Sequence, residues 1–131
     1  MKYKDLINKA RLAKGHSYSP YSEFRVGAAL LSSTGKIFTG TNIENSSFSL
    51  TICAERVALF KAISEGHNKF NAIAIASDSD DFIPPCGACR QVMFELAGNI
   101  DIILTNADGK TMKTKVAPLL PHPFTKKHLH K

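Results

Sequence analysis

The three cysteines of the chain lie in two short segments that also carry charged side chains. The segment TICAERV places Cys53 two residues before Glu55 and three before Arg56. The segment PPCGACRQV supplies Cys86 and Cys89. Three thiolates with an open fourth position describe a catalytic zinc site rather than a closed structural one. A carboxylate beside such a site is placed to move protons to and from water.

The elements that carry these segments follow from the pattern of apolar residues. Helices are predicted over residues 3–14, near 53–65 and over 86–97. Strands are predicted as a hairpin within 24–43 that turns at Ser-Ser-Thr-Gly, and then over 71–77, 100–106 and 110–116. Strands separated by helices indicate an α/β layered sheet with at least one parallel βαβ unit. A chain of 131 residues is expected to form a single domain over residues 1–131.

The cysteines fall at the starts of the second and third predicted helices, and Cys86 follows Cys53 by 33 residues. That interval holds one helix and one strand, which is roughly one βαβ repeat. Because parallel strands carry the helices that follow them at the same edge of a sheet, we expect the three thiols to meet there. The N-terminus of a helix favours an anion and therefore lowers the pKa of a thiol.

Other interpretations of these residues are weaker. A Cys-x-x-Cys pair near a βαβ unit is also typical of thiol–disulfide exchange, but that activity gives no role to Cys53 or Glu55. Glu55 does not fit a capping box, because the residue three before it is Ile52, which cannot cap a helix.

The composition limits the classes of protein to which this chain can belong. Hydrophobic residues make up 44% of the chain and charged residues 21%, as in an ordinary globular protein. No apolar run has the length of a membrane span. The N-terminal residues are charged and lack the apolar core of a signal peptide. The odd number of cysteines, three, argues against structural disulfides. We therefore expect a cytoplasmic protein without membrane contact. The net charge is +6, but aromatic residues do not alternate with the late lysines, so no nucleic acid is expected as a partner.

Two motifs carry a resemblance to a known group of enzymes. CAE at 53–55 and PCGAC at 85–89 resemble the zinc nucleoside and nucleobase deaminases. More narrowly, PYSEFRVGAALL, GTNIENSSFS, CAER, PCGACRQ and LLPHPF resemble segments of the small cytidine deaminases, in that family's order, between residues 20 and 124. The resemblance implies a three-layer α/β/α sandwich with a five-stranded mixed sheet. It also implies a homotetramer whose active sites are completed by neighbouring subunits.

The resemblance and the chemistry of the residues together indicate how the site would work. One Zn²⁺ per chain would be held by Cys53, Cys86 and Cys89. Zinc acidifies its bound water, the resulting hydroxide attacks C4 of cytidine, and Glu55 shuttles protons to N3 and to the departing amine. The three thiolates and the metal together carry a net negative charge, which Arg56 is expected to offset through a hydrogen bond to sulfur.

Substrate contacts are implied for five further residues. Phe24 would pack against the base, and the backbone near Ala54 would read its edge. Asn42 and Glu44 would bind the ribose hydroxyls, and Phe124 would reach a neighbour's active site. The chain departs from the family at one position. Phe48 stands where the family usually has Tyr, which removes an expected interface hydroxyl.

The expected activity is therefore zinc-dependent deamination of cytidine and deoxycytidine to their uridine counterparts and ammonia, in pyrimidine salvage. The enzyme alternative is a deaminase of another cytosine nucleoside such as blasticidin S. The alternative from another class is a non-catalytic zinc-binding module that contacts RNA through its basic tail.

Overall fold

The computed structural model describes residues 2–129, so the outermost residues of the expected 1–131 domain lie outside the described part. Helices and strands alternate along that part as follows: α1 (Lys4–Lys14), β1 (Val26–Ser32), β2 (Ile37–Thr41), α2 (Ala54–Ser64), β3 (Phe70–Ser77), α3 (Gly87–Ala97), β4 (Asp101–Thr105) and β5 (Thr111–Lys115). The predicted helices, and the strands whose ends were predicted, are confirmed to within one residue at each end.

The five strands form one sheet in the order β2-β1-β3-β4-β5. Strands β3 and β4 are parallel, and the other neighbouring pairs are antiparallel. The five-stranded mixed sheet is therefore confirmed, and β3-α3-β4 is the predicted parallel βαβ unit.

The connection from β2 through α2 to β3 is not a simple βαβ repeat, and this corrects the sequence interpretation. Strand β1 lies between β2 and β3 and is antiparallel to both. Strands β2 and β3 therefore run in the same direction without touching. The helices that follow them begin at the same edge of the sheet, so the expected meeting point of the cysteines is correct although the topology behind it differs.

The side chains of β3 show how the layers form. Ile73 and Ile75 belong to the core under α2 and α3, whereas Ala72, Ala74 and Ala76 belong to the core under α1. This alternation follows from the two-residue period of a strand. Helices therefore cover both faces of the sheet, which confirms the α/β/α sandwich.

Two glycines set the distance between helix and sheet. A Cβ atom at Gly27 would overlap the Ala10 carbonyl and the Lys14 amide of α1. A Cβ atom at Gly40 would overlap the Ala54 carbonyl and the Ala58 amide of α2. Gly40 thus lets β2 touch the first turn of α2, and that turn follows directly after Cys53.

Candidate active site

The backbone places all three cysteines at helix starts. Cys53 is the N-cap of α2 and Cys86 is the N-cap of α3, and both have extended dihedral angles. Cys89 lies in the first turn of α3, and its amide donates a hydrogen bond to Cys86 Sγ at 3.4 Å. Pro85 favours this arrangement because a proline cannot continue a preceding helix or strand.

The three sulfur atoms form a compact cluster. Cys53 Sγ lies 3.7 Å from Cys86 Sγ, and Cys86 Sγ lies 3.2 Å from Cys89 Sγ. All three lie within 4.8 Å of one another, and all three cysteines are free thiols. Sulfur atoms bound to one tetrahedral Zn²⁺ at ~2.3 Å would be separated by about 3.8 Å. The donor set and its spacing therefore fit a zinc ion.

Arg56 contacts the cluster directly. Its Nη2 donates a hydrogen bond to Cys53 Sγ at 3.5 Å. The pKa of the Cys53 thiol falls to about 5, chiefly through a hydrogen bond with Cys89 and then through the one with Arg56. The hydrogen bond to Cys53, together with burial, raises the pKa of Cys89. The Nε atom of Arg56 is buried and has no hydrogen-bond partner among residues 2–129.

Glu55 is the buried carboxylate of the site. It lies in the first turn of α2, and only 4% of its surface is exposed. Loss of solvation raises the pKa of Glu55 to about 7, and the nearby Cys53 thiolate acts in the same direction. A carboxyl group that titrates near neutral pH can both accept and donate a proton.

A cavity of about 200 Å³, which we call the thiol cavity, lies beside these residues. Five of its lining residues are site residues predicted from the sequence: Asn42, Cys53, Ala54, Glu55 and Cys86. The lining residues that the sequence interpretation missed are Val26, Thr51, Ile52, Ile75, Ser77, Ile83 and Pro84. Those at 51–52 and 83–84 lie two or three residues at most before Cys53 or Cys86, so their position in the chain could have indicated them. Ile75 and Ser77 could be found only from the sheet order.

Comparison with known proteins identifies the group to which this site belongs. The protein family of the cytidine and deoxycytidylate deaminase zinc-binding region matches residues 1–105. The chain belongs to this family. Its members bind zinc in the region that carries the thiol cluster, so Zn²⁺ is the cofactor of the chain.

Individual relatives support the assignment across nearly the whole chain. A cytidine deaminase from Sporosarcina psychrophila is 48% identical over 130 residues, which are 98% of this chain and 96% of that protein. A cytidine deaminase from Halalkalibacterium halodurans is 50% identical over 121 residues, 92% of each. The crystal structure of cytidine deaminase from Burkholderia pseudomallei has a TM-score of 0.91 at 46% identity and covers 95% of this chain and 100% of that one. The chain is therefore a deaminase and not a non-catalytic zinc module.

Within this deaminase, Asn42 joins the thiol cavity to the loop before β1. Its Nδ2 donates to the Phe24 carbonyl at 2.8 Å, and its Oδ1 accepts from the Val26 amide at 3.0 Å and from the Ser17 hydroxyl. Phe24 is partly buried but does not line the thiol cavity. The structure thus brings Asn42 to the site and places Phe24 one hydrogen bond away.

Glu44 lies in a neighbouring cavity. Its carboxylate accepts hydrogen bonds from the amides of Tyr21 at 2.9 Å and Ser22 at 3.1 Å, and also from the Ser22 hydroxyl, which lowers the pKa of Glu44. That cavity is also lined by Phe48, which is 76% exposed. The rings of Phe48 and Tyr21 pack edge to face, with their centroids 6.3 Å apart.

Phe124 does not reach the thiol cavity of its own chain. Its ring stacks on His128 with centroids 5.2 Å apart, and its carbonyl accepts a hydrogen bond from Gln91 Nε2 at 2.6 Å. The side chain is 56% exposed. An apolar ring held in this way at the surface is available to a second molecule.

Proposed function

We propose that Cys53, Cys86 and Cys89 hold one Zn²⁺ per chain and that Glu55 moves the protons during hydrolytic deamination of cytidine. Cytidine deamination is the activity that the family and the relatives support for this chain. The observation that carries the assignment of roles is the position of Glu55. It is a buried carboxylate, it follows one thiol by two residues, and it lines one cavity together with two of the three thiols.

The reaction consumes cytidine and water and yields uridine and ammonia. Zinc bound at the thiols supplies the Lewis acid that makes water nucleophilic at neutral pH. Glu55 accepts the proton that this water loses and delivers a proton to N3 as the C4–O bond forms. Glu55 then accepts the proton of the new C4 hydroxyl and delivers it to the amine, so that the C4 carbonyl of uridine forms, the C4–N bond breaks and ammonia leaves. A single carboxylate can serve all these steps because it lines the same cavity as two of the thiols.

The remaining site residues are proposed to bind the nucleoside. Ala54, which is fully buried at the start of α2, presents backbone polar groups to the base edge. Asn42 and Glu44 would accept or donate hydrogen bonds at the ribose hydroxyls. Both already hold the loop at 21–26 in place, which supports a role in shaping the sugar end of the site. Phe24 packs against the base once the substrate is present.

A substrate screen tests the assigned function. The zinc-loaded protein is incubated with cytidine, deoxycytidine, cytosine, blasticidin S and a single-stranded oligonucleotide, and ultraviolet absorbance and released ammonia are followed. We expect turnover of cytidine and deoxycytidine, and none of the oligonucleotide. Blasticidin S as the preferred substrate would favour the other nucleoside deaminase, and no released ammonia would contradict the function.

Assembly into a homotetramer with shared active sites is part of the proposal. Phe48, Leu50 and Phe124 are large apolar side chains with 76%, 68% and 56% exposure in the single chain. Exposed apolar residues of this size indicate an interface when they cluster. Phe48 lacks the hydroxyl that the family usually places there, so this interface would depend on packing rather than on that hydrogen bond.

The shared site can be tested by mixing two variants that each lack one proposed part of it. Glu55→Gln removes the proton shuttle and Phe124→Ala removes the ring offered to a neighbour. If sites are shared, subunits of the two variants that are dissociated and reassembled together should regain activity above the sum of the separate preparations. Light scattering of the wild type should show a tetramer. An active monomer, or mixtures with no gain, would contradict the shared site.

Two further expectations stay proposals. The odd set of thiols, which are free in the structure, supports a reducing and hence cytoplasmic location. Among residues 2–129, none of the helices has the length and apolar content needed to cross a membrane. We also propose that residues 1–131 form one domain, which the single sheet through the described part supports.

A further inference from the structure

A second and larger cavity opens on the α1 side of the sheet. It has a volume of about 770 Å³ and lies between α1, the loop after β3 and the β4–β5 turn. Its lining residues are Lys4, Ile7, Asn8, Arg11, Phe82, Gly109, Lys110 and Thr111. We call it the basic cavity. It shares no lining residue with the thiol cavity, so the two can be occupied at the same time.

The charges that line the basic cavity are all positive. Lys4, Arg11 and Lys110 contribute cations, and no lining residue is acidic. In the described part of the chain, none of these three side chains forms an ion pair with a carboxylate. By contrast, Lys113 and Lys115 of β5 both pair with Asp101. A concave surface lined by uncompensated charge of one sign attracts ligands of the opposite sign.

Arg11 is held in position before any ligand arrives. Its Nη2 donates to Thr105 Oγ1 at 2.8 Å and to the Gly109 carbonyl at 2.9 Å. A guanidinium carries five N–H donors, so these two contacts leave other donors for a ligand. A fixed guanidinium that still has free donors suits the paired oxygens of a phosphate, because little side-chain freedom is lost on binding.

The basic cavity also contains an aromatic ring. Phe82 is partly buried in the loop after β3, where it packs against the core under α2 and α3 and also lines the basic cavity. Nucleobases stack on aromatic side chains with little base preference. We propose that the basic cavity binds a nucleoside triphosphate, with the phosphates at Lys4, Arg11 and Lys110 and the base against Phe82. This site is separate from the deamination site and does not depend on the roles assigned there.

Calorimetric titration of the zinc-loaded protein with ATP, at low salt and without added Mg²⁺, tests the proposal. The double variant Lys4→Gln/Lys110→Gln should raise the dissociation constant about tenfold or more, because two charge-assisted contacts are lost. The matched control Lys9→Gln/Lys61→Gln removes the same number of charges at two exposed lysines that do not line the basic cavity, and it should leave binding unchanged. Deamination without ATP should be the same in all these proteins, so a failure here is distinct from a failure of the proposed function.

Two further titrations assign the parts of the ligand. Inorganic tripolyphosphate should bind more weakly than ATP, and Phe82→Leu should reduce the difference between them. Cytidine in excess should not displace ATP. The proposal would be overturned by the absence of ATP binding, by equal affinities of the wild type and the double lysine variant, or by displacement of ATP with cytidine. Equal binding of tripolyphosphate and ATP by the wild type would overturn the base contact.

Discussion

The two faces of the sheet bury different kinds of side chain. The face under α1 is packed with small and aliphatic residues, among them Ala72, Ala74 and Ala76, and its polar contacts lie at the rim. The face under α2 and α3 buries a carboxylate, Glu55, beside a cluster of thiols. Burying an ionisable group without a strong partner costs free energy. The core under α1 thus consists of residues that pack, whereas the core under α2 and α3 also holds the groups to which we assign the deamination chemistry.

The largest effect is expected on the chemical face, at Glu55. Glu55→Gln keeps the shape of the side chain but cannot accept a proton, so turnover should fall by at least the ~10²–10⁴-fold typical of general acid–base catalysis. Zinc content and the thermal unfolding temperature should stay near those of the wild type. Glu65→Gln, at the exposed C-terminal end of α2, makes the same charge change and should leave turnover unaltered. Near-normal turnover of Glu55→Gln would show that the buried carboxylate of this face has no catalytic role.

Gly27 and Gly40 allow the two faces to be compared directly, because Gly27 contacts the backbone of α1 and Gly40 contacts that of α2. Gly40→Ala and Gly27→Ala each force a Cβ atom into the backbone of a helix, so both should lower the free energy of unfolding by about 3 kcal/mol. Gly40→Ala should in addition weaken zinc binding, because it displaces the turn after Cys53. Chemical denaturation and a competitive zinc titration measure the two effects. Equal zinc affinity in the two variants would show that the α2 contact does not position the thiols.

These glycines also show the limit of prediction from sequence. The order of elements and the meeting of the cysteines followed from apolar periodicity and from the positions of the helix starts. The insertion of β1 between β2 and β3 did not, because strand order depends on pairing between residues far apart in the chain. The contact of Gly40 with α2 and the contribution of Ile75 to the thiol cavity depend on that order, so neither had a local signal.

A smaller effect is expected at Arg56, which touches the thiols without lining the thiol cavity. Arg56→Gln should slow deamination about tenfold, since a loss of about 1.4 kcal/mol matches one charge-assisted hydrogen bond. The acid limb of kcat/KM should move to higher pH, because a more negative centre acidifies water less. Replacing Cys53 with His as well removes one negative charge and should partly restore the rate.

The control for Arg56 is Lys61→Gln, an equal charge change at an exposed position of α2. Its pH–rate profile should superimpose on that of the wild type. If the profile of Arg56→Gln does so too, Arg56 has no influence on the metal centre.

The smallest effect is expected at the rim of the α1 face. Tyr3 donates a hydrogen bond to Asp101 Oδ2 at 2.8 Å, and this bond, with Lys115 and Lys113, lowers the pKa of Asp101 to about 2. A lowered carboxyl pKa stabilises the fold above the unfolded value of 3.8, and that stabilisation is lost as the pH falls through 2. Tyr3→Phe should therefore cost about 1 kcal/mol at neutral pH and less below pH 2, without changing turnover. Urea unfolding at several pH values measures this. If Tyr3→Phe lowers the free energy of unfolding by the same amount at every pH, the hydrogen bond does not cause the lowered pKa of Asp101.

We infer that the thiol cluster becomes an active site when it holds one zinc ion. Protein freed of metal by a chelator, then cleared of the chelator, is titrated with Zn²⁺ while bound metal and deamination of cytidine are measured on the same samples. Activity should rise in proportion to bound zinc and stop rising at about one ion per chain. Cys89→Ala should bind zinc weakly and stay inactive at that point. Full activity of the metal-free protein, or activity that rises independently of bound zinc, would show that the thiol cluster does not act through zinc.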